Sequence, residues 1–515
     1  MRNKNVQSEE FTLEKIIFED EIALYWDKQW ELKETAKYRI LVNTVSVGMT
    51  DKTHFVLKKL TPESGYHVVI ERLDEADGVV EILFDEFLKT SKARRRIDVT
   101  KAPYNAVGDG KTLNTAALQK AIDDCKTGET VYIPQGTFLS GALKLHSDME
   151  LYVEEGALLQ GTAAVKDYLP KIKSRFEGLN WNCYAALLNM GELDENNYGF
   201  TCENVVIRGG GKIYGGGKAL MDAVIEEEKI LLKDFLEKNA EYVQSCDNPN
   251  VIPARARPRL INISNCRNVI IANMDMGHGA AWNVHFVYSK DIVTYGCKIS
   301  SKGVWNGDGW NPDSSENCTI FDTTFDSHDD AIAIKSGRNP EGNVIKRPTR
   351  NVRVFDCRGT RGVSIGSELS GGIENVYMWD CVLNAGGGFF LKTMEKRGGY
   401  VHNVKVKDCQ LGMIHITTRY GCNKDGEPAG TLTDVKDLYF ENVESFGWTT
   451  NYATFAFFDV SALIVIGFDD PERRFRNVTF KNVRLRQSQD RNCETVQIRN
   501  VENLTLENVH TYVGN

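Results

Sequence analysis

No run of about 18 apolar residues occurs in this chain, so nothing in it reads as a membrane-spanning helix. The first ten residues, Met1-Arg2-Asn3-Lys4-Asn5-Val6-Gln7-Ser8-Glu9-Glu10, lack the apolar core of a secretory leader, and a cytoplasmic location is the expectation. That location implies a substrate small enough to be imported. No basic stripe is present and the net charge is −9, which argues against nucleic acid as a partner. Neither C-x-x-C nor H-E-x-x-H occurs, so no zinc site is expected, and no other cofactor. Gly209-Gly210-Gly211 and Gly215-Gly216-Gly217 lack the spacing and the lysine of a phosphate-binding loop, so tight turns are the better reading. The 12 cysteines are spread along the chain. They read either as disulfide or metal partners or as free thiols in the interior of a repeat structure. The apparent cytosolic address favours free thiols.

What the chain does have is a repeated phrase: Asn or Asp, then alternating apolar residues. It occurs at Asn268, Asp291, Asn317, Asn351, Asn375, Asn403, Asp437, Asn477 and Asn503, at steps of 23, 26, 34, 24, 28, 34, 40 and 26 residues. Such steps suit a repeat architecture, and period-2 alternation rich in β-branched residues predicts strands. The leading Asn or Asp suits a turn, and turns stacked coil upon coil predict Asn ladders. Leucine-rich repeats are the rival reading, but they are denser in Leu and shorter in period. A right-handed parallel β-helix is expected over residues 97–515. It is preceded by a small β-sandwich over residues 1–90 and a basic linker, 91–96.

In a β-helix, residues one coil apart lie above one another. Asp308 and the pair Asp329-Asp330 are 21 residues apart, about one coil. Three carboxylates are thus predicted to cluster. Like charges repel and raise a pKa, so the grouping points to acid–base chemistry rather than to stability. A calcium site built from oxygen ligands is the alternative.

Elsewhere, the strands around Trp26 and the phrase Leu60-Thr61-Pro62-Glu63-Ser64-Gly65-Tyr66 look like a fibronectin type III sandwich. Residues Ala116 to Ile122 predict an N-capped amphipathic helix covering the exposed end of the solenoid. Leu220 to about Val243 predicts a helical interruption that walls the cleft or forms a subunit contact, consistent with a homo-oligomer.

These motifs together resemble glycoside hydrolase family 28, the polygalacturonase family, and most closely its bacterial exo-acting branch. The carriers are Asn306-Gly307-Asp308-Gly309, Asp329-Asp330 with Lys335-Ser336-Gly337, Ser364-Ile365-Gly366-Ser367-Glu368, and Arg397-Gly398-Gly399. The resemblance implies an exo-acting, inverting hydrolase that releases galacturonic acid from pectic oligosaccharides. Asp329 would be the general acid, and Asp308 with Asp330 would activate water, the carboxyls being roughly 6.5–9.5 Å apart. Lys392 would bind the substrate carboxylate, and Asn306 is a further substrate contact.

Two positions depart from the family pattern. Its Gly-His-Gly motif falls at Gly359-Thr360-Arg361-Gly362, without histidine, and the arginine of its Arg-x-Lys motif is Phe390. Arg361 or Arg397 is expected to restore the missing charge, and His328 to stand in for the histidine, although strand alternation would turn it away from Asp329. A rhamnogalacturonan or xylogalacturonan fragment is the alternative substrate. A polysaccharide lyase or a catalytically inactive pectin-binding protein are the other function classes. His285 is expected either to line the cleft or to pack, and Glu368 to orient Lys392 or a sugar hydroxyl. Trp305 and Trp310 are candidates for stacking on a sugar ring, with at least one in the core.

Overall fold

The computed structural model describes residues 13–32, 36–196, 199–422, 425–490 and 492–514. The expectation drawn from residues 1–10 therefore concerns residues outside this set. The chain divides into two units, Met1–Arg95 and Arg96–Asn515.

In the first unit, Leu13–Ile17, Glu21–Trp26 and His54–Lys58 form one antiparallel sheet. Val45–Thr50, Lys37–Val42, Gly65–Leu73 and Val79–Lys89 form a second. Alternation buries Tyr38, Ile40, Val68 and Ile70 between the sheets, with the Trp26 ring edge-on to Tyr38 at 5.1 Å. The backbone N–H of Thr61 donates to the Tyr66 hydroxyl at 2.8 Å, which ties down the phrase singled out in the sequence.

The second unit is a parallel β-helix. One sheet carries the repeated phrases in register from coil to coil. Val269, Ile292, Cys318, Val352, Val376, Val404, Leu438 and Val478 succeed one another as buried rungs. A cysteine in an aliphatic stack behaves as a small hydrophobe. All 12 cysteines are free thiols and nine are buried. The rings of Tyr295, Phe321, Phe355 and Trp379 stack at 5.1, 4.9 and 4.4 Å.

The repeated Asn has a role beyond a local turn. Each of Asn268, Asp291, Asn317, Asn351, Asn375 and Asn403 has φ between 54° and 57°, left-handed backbone that Asn and Asp tolerate best. Their side chains bond between coils. Nδ2 of Asn317 donates to Asp291, Asn351 to Asn317, Asn375 to Asn351 and Asn403 to Asn375, at 2.7–3.0 Å. Asn351→Ala removes two rungs and puts a Cβ-bearing residue without polar compensation into left-handed backbone. It is expected to cost about 1–3 kcal/mol, read as a lower urea midpoint at unchanged m-value.

Glycine is required where coils pass closely. A Cβ on Gly209, at φ 129°, would lie 2.3 Å from the Val153 carbonyl oxygen, so the first glycine triplet is a tight turn. The helix expected near Ala116 is Thr115–Asp123. Its N-cap residue, Asn114, makes no capping bond. The amide bonds instead to Val107 and to Thr112 of the strand Asp109–Leu113, which corrects the expected cap. The later interruption forms Gly217–Leu231, Lys233–Lys238 and Ala240–Ser245, followed by Val251–Ala254. Arg96 of the basic linker lies over the rings of Tyr132 and Tyr152 and belongs to a strand, Arg95–Asp98.

Candidate active site

The second long sheet supplies the floor of the site. Trp310–Asp313, Ile332–Ile334, Val363–Gly366 and Phe389–Lys392 succeed one another in parallel. The turns that lead into them stack in the same order. The N–H of Gly309 donates to the Asp330 carbonyl at 3.0 Å, that of Ala331 to Gly362 at 3.0 Å, and that of Val363 to Gly388 at 2.8 Å. Asp308, Asp329, Asp330 and Arg361 sit in those turns, one coil above another. Along the strands, Val363, Ile365, Phe389 and Leu391 point into the core, while Ser364, Phe390 and Lys392 point out. The cleft beside them is ≈ 470 Å³ and is lined by Asp308, Asp329, Asp330, Arg361, Phe390 and Lys392, among others. Glycine keeps the floor low here too: a Cβ on Gly362 would stand 2.0 Å from the Gly388 carbonyl oxygen.

One carboxylate oxygen from each of Asp308, Asp329 and Asp330 lies within 4.8 Å of the others. Asp330 accepts from Ser364 Oγ at 2.6 Å and from Lys392 Nζ at 2.8 Å. Asp308 faces Lys335 Nζ at 3.4 Å, and Lys335 also meets Glu368 at 3.6 Å. Lys335 and Lys392 thus place positive charge beside two of the three carboxyls. Burial, with the Asp329 and Asp330 charges, pushes Asp308 well above the usual carboxylate range against the pull of Lys335. Burial and the Asp330 charge raise Asp329 as well, against Lys392 and Lys335.

Other expected residues fall into three groups. Asn306, Trp305 and His328 line the cleft. His328 lies outside the strand Ile332–Ile334, so strand alternation does not turn it away from Asp329. Its Nδ1 accepts the Gly303 N–H at 3.2 Å. Burial, followed by the Arg361 charge, keeps the ring below its ordinary pKa against Asp329. Glu368 lines the cleft but pairs with Lys335 rather than Lys392. His285, Arg397 and Trp310 do not line it. Trp310 is in the core. Arg397 is buried and donates to the Ser367 carbonyl at 2.8 Å and to Asn339 Oδ1 at 2.7 Å. That use of its guanidinium corrects the expectation of a charge offered to substrate.

His285 points out of the sheet, yet it is fully buried. The hairpin Ile172–Phe176 and Leu179–Cys183 covers the outward face of these coils. Ser174 Oγ donates to Asn262 at 2.9 Å, Arg175 Nη1 to Asp313 at 2.9 Å, and Phe176 stacks on Trp282 at 4.7 Å. Glu177, in the turn of this hairpin, lines the cleft that holds the carboxylate triad. Asp247, Asn248 and Val251 of the helical interruption wall it, as do Tyr420 and Tyr452. The sequence reading gave no role to Lys335, Arg257, Tyr452 or this hairpin. Lys335 alone stood in a recognised motif.

Arg361 is the unsatisfied group of the cleft. It is 4% exposed, and its Nη1 donates to the Thr450 carbonyl at 3.3 Å. Among the described residues, Nε and Nη2 have no hydrogen-bond partner. Its guanidinium lies over the rings of Tyr452 and Phe455 at 4.2 and 5.2 Å.

The chain matches the family model Glycosyl hydrolases family 28 over residues 128–462. It belongs to glycosyl hydrolase family 28. An exo-poly-alpha-D-galacturonosidase of Dickeya chrysanthemi is 29% identical over 381 residues, covering 69% of this chain and 62% of that protein. The chain therefore spans less than two thirds of that relative's length. A family 28 exopolygalacturonase of Yersinia enterocolitica superposes with TM-score 0.71 at 22% identity, covering 98% of each chain. An exopolygalacturonase from Thermotoga maritima gives TM-score 0.65 at 25% identity, covering 81% of this chain and 91% of the other.

This family 28 protein carries a buried ion pair, Arg175 with Asp313, beneath its hairpin. Burial alone would raise Asp313, but the Arg175 guanidinium and the His285 hydrogen bond outweigh it and hold the carboxyl well below its ordinary value. A depressed folded pKa contributes stability that is fully present above the unfolded value, about 3.9. That contribution is lost as pH falls through the folded value. Burial, in turn, lowers His285 to about 4, so it is neutral at neutral pH. Asp313→Asn is expected to be less stable at neutral pH and to show a flatter loss of melting temperature below about pH 4.

Proposed function

We propose that the chain is an exo-acting hydrolase that releases galacturonic acid from the end of pectic oligosaccharides. The observation that carries this reading is Arg361, buried in the cleft beside the carboxylate triad with two guanidinium nitrogens unpartnered. A planar fork of donors with nothing to bind fits a carboxylate, and galacturonate brings one. Arg361 takes over the charge that the family places at position 390, and Lys392, held by Asp330, adds a second positive group nearby. Glu177, in the turn of the hairpin that covers Asn262, His285 and Asp313, helps to wall the cleft, and a walled cleft suits cleavage at a chain terminus. The galacturonosidase name of the Dickeya relative supports the same substrate.

In this mechanism Asp329 gives its proton to the glycosidic oxygen as the bond from that oxygen to the anomeric carbon breaks. Its raised pKa keeps the proton available. Asp308 and Asp330 hold a water, and Asp330, the carboxylate paired with Lys392, takes its proton as it attacks the anomeric carbon. Phe390 supplies an apolar face for a sugar ring.

One oxygen of each of the three carboxyls lies within 4.8 Å of the others, close enough to share one water. Displacement with retention is the second reading of so close a set. A pair of carboxylates facing a third favours water attack, since a covalent nucleophile needs no partner. Proton NMR of the first-formed sugar decides, by whether the inverted or the retained anomer leads.

The test of function is product release from labelled oligogalacturonide, rhamnogalacturonan and xylogalacturonan fragments. Galacturonic acid monomer from the first supports the proposal. Turnover of only a branched or rhamnose-bearing fragment overturns the substrate, and an unsaturated, ultraviolet-absorbing product overturns hydrolysis in favour of elimination.

A further inference from the structure

The helical interruption ends in Arg255-Ala256-Arg257-Pro258-Arg259, three arginines at alternate positions, all buried. Arg255 is taken up by Glu177 at 2.9 Å and Asp425 at 2.7 Å. Arg259 lies over the Phe176 and Trp282 rings at 4.9 and 5.3 Å. Arg257 alone of the three reaches the turn that carries Asp308. Its Nη1 donates to the Trp305 carbonyl at 2.6 Å, Nη2 to Asn306 Oδ1 at 2.7 Å, and Nε to the Ala254 carbonyl at 2.8 Å. Its guanidinium lies over the Trp305 and Phe176 rings at 4.7 and 5.1 Å. All three nitrogens are engaged, so the group is fixed in place and direction.

Asn306 stands two residues before Asp308, at φ 53°, and lines the cleft. A side-chain amide is an acceptor at one end and a donor at the other, whereas a guanidinium only donates. The end that meets Arg257 must therefore be Oδ1. The opposite end is Nδ2, and among the described residues nothing accepts a hydrogen bond from it.

We propose that Arg257 is a positioning residue: it locks the Asn306 amide with Nδ2 toward the cleft, where that N–H donates to an oxygen of the bound sugar. Without the guanidinium the amide is free to rotate, and its oxygen would face the sugar oxygen that it now serves. The assignment rests on the cleft being the sugar-hydrolysing site.

The test is a double-mutant cycle on kcat/KM with Arg257→Met, Asn306→Ala and the double variant, with melting temperature as the fold control. Each single variant is expected to lose about 10²-fold. The double variant is expected to lose no more than either single one, because Arg257 acts through Asn306. Multiplied losses overturn the proposal. Arg257→Lys keeps the charge without the fork and is expected to recover only part of the loss. Asn306→Asp keeps the acceptor for Arg257 and removes the donor. It is expected to fold and to be as impaired as Asn306→Ala, and wild-type activity in it overturns the donor role. A crystal structure of Arg257→Met gives a readout without substrate. An Asn306 amide turned away from its wild-type orientation there supports the lock, and an unmoved one overturns it. Silence of the wild type in the product assay would instead overturn the reading of the cleft, leaving the crystallographic arm to decide on Arg257.

Discussion

Asp329→Asn is expected to lower kcat by roughly 10²–10⁴-fold with little change in KM. An amide of the same shape fills the same space but has no acidic proton for the leaving oxygen. Of the three carboxyls, Asp308 is buried against Lys335 and Asp330 is held by Ser364 and Lys392, which leaves Asp329 as the one with no ion pair among the described residues. The discriminating measurement is the leaving group. An aryl galacturonide departs without protonation, so Asp329→Asn should lose far less on it than on an oligogalacturonide. An equal loss on both would remove Asp329 as the acid, and the same signature in Asp308→Asn would transfer the role. The pH profile follows from the same charges. Because burial and Asp330 raise Asp329, its acid form persists above the ordinary carboxylate range. Activity should therefore fall as pH rises through that raised value, and Asp330→Asn should shift this alkaline limb to lower pH in whatever activity remains.

The β-helix was legible because its repeat is written in residue types with one physical use. Asn and Asp tolerate left-handed backbone and can bond their counterparts one coil away, so Asn317, Asn351, Asn375 and Asn403 mark the coils in sequence as they do in space. The triad was legible because its spacing equals one coil. What was not legible came from insertions. Nothing in Ile172–Phe176 or Leu179–Cys183 announces that this hairpin lies over the sheet and covers His285, so His285 remained open between lining the cleft and packing. Arg397 and Arg361 look equivalent as charges in a sequence. Only the structure shows one spent on Ser367 and Asn339 and the other unspent. The alternate arginines Arg255, Arg257 and Arg259 were a missed signal. Charged residues at strand-like spacing next to Pro258 are costly to bury without partners, which is a reason to look for what they hold.

Arg361→Met is expected to cost about 10²–10³-fold in kcat/KM on oligogalacturonides, the scale of removing one partner of a buried, hydrogen-bonded charge pair. It is expected to leave folding stability unchanged or raised. The two effects share one cause. In the free protein Nε and Nη2 are buried with no acceptor, which costs roughly 1–3 kcal/mol per unsatisfied group, offset in part by the Tyr452 and Phe455 rings. Replacing the guanidinium by a thioether removes that cost and keeps contact with the rings. A residue kept for the fold alone would behave in the opposite way, losing stability when truncated. Substrate chemistry supplies the second check. If Arg361 binds the uronate, the variant's loss should nearly vanish on a methyl-esterified terminal residue, on which the wild type is already slow. Equal losses on the free acid and the ester would mean that Arg361 does not bind the carboxylate. Arg361→Lys should fall between, because an ammonium keeps the charge and loses the two-pronged geometry.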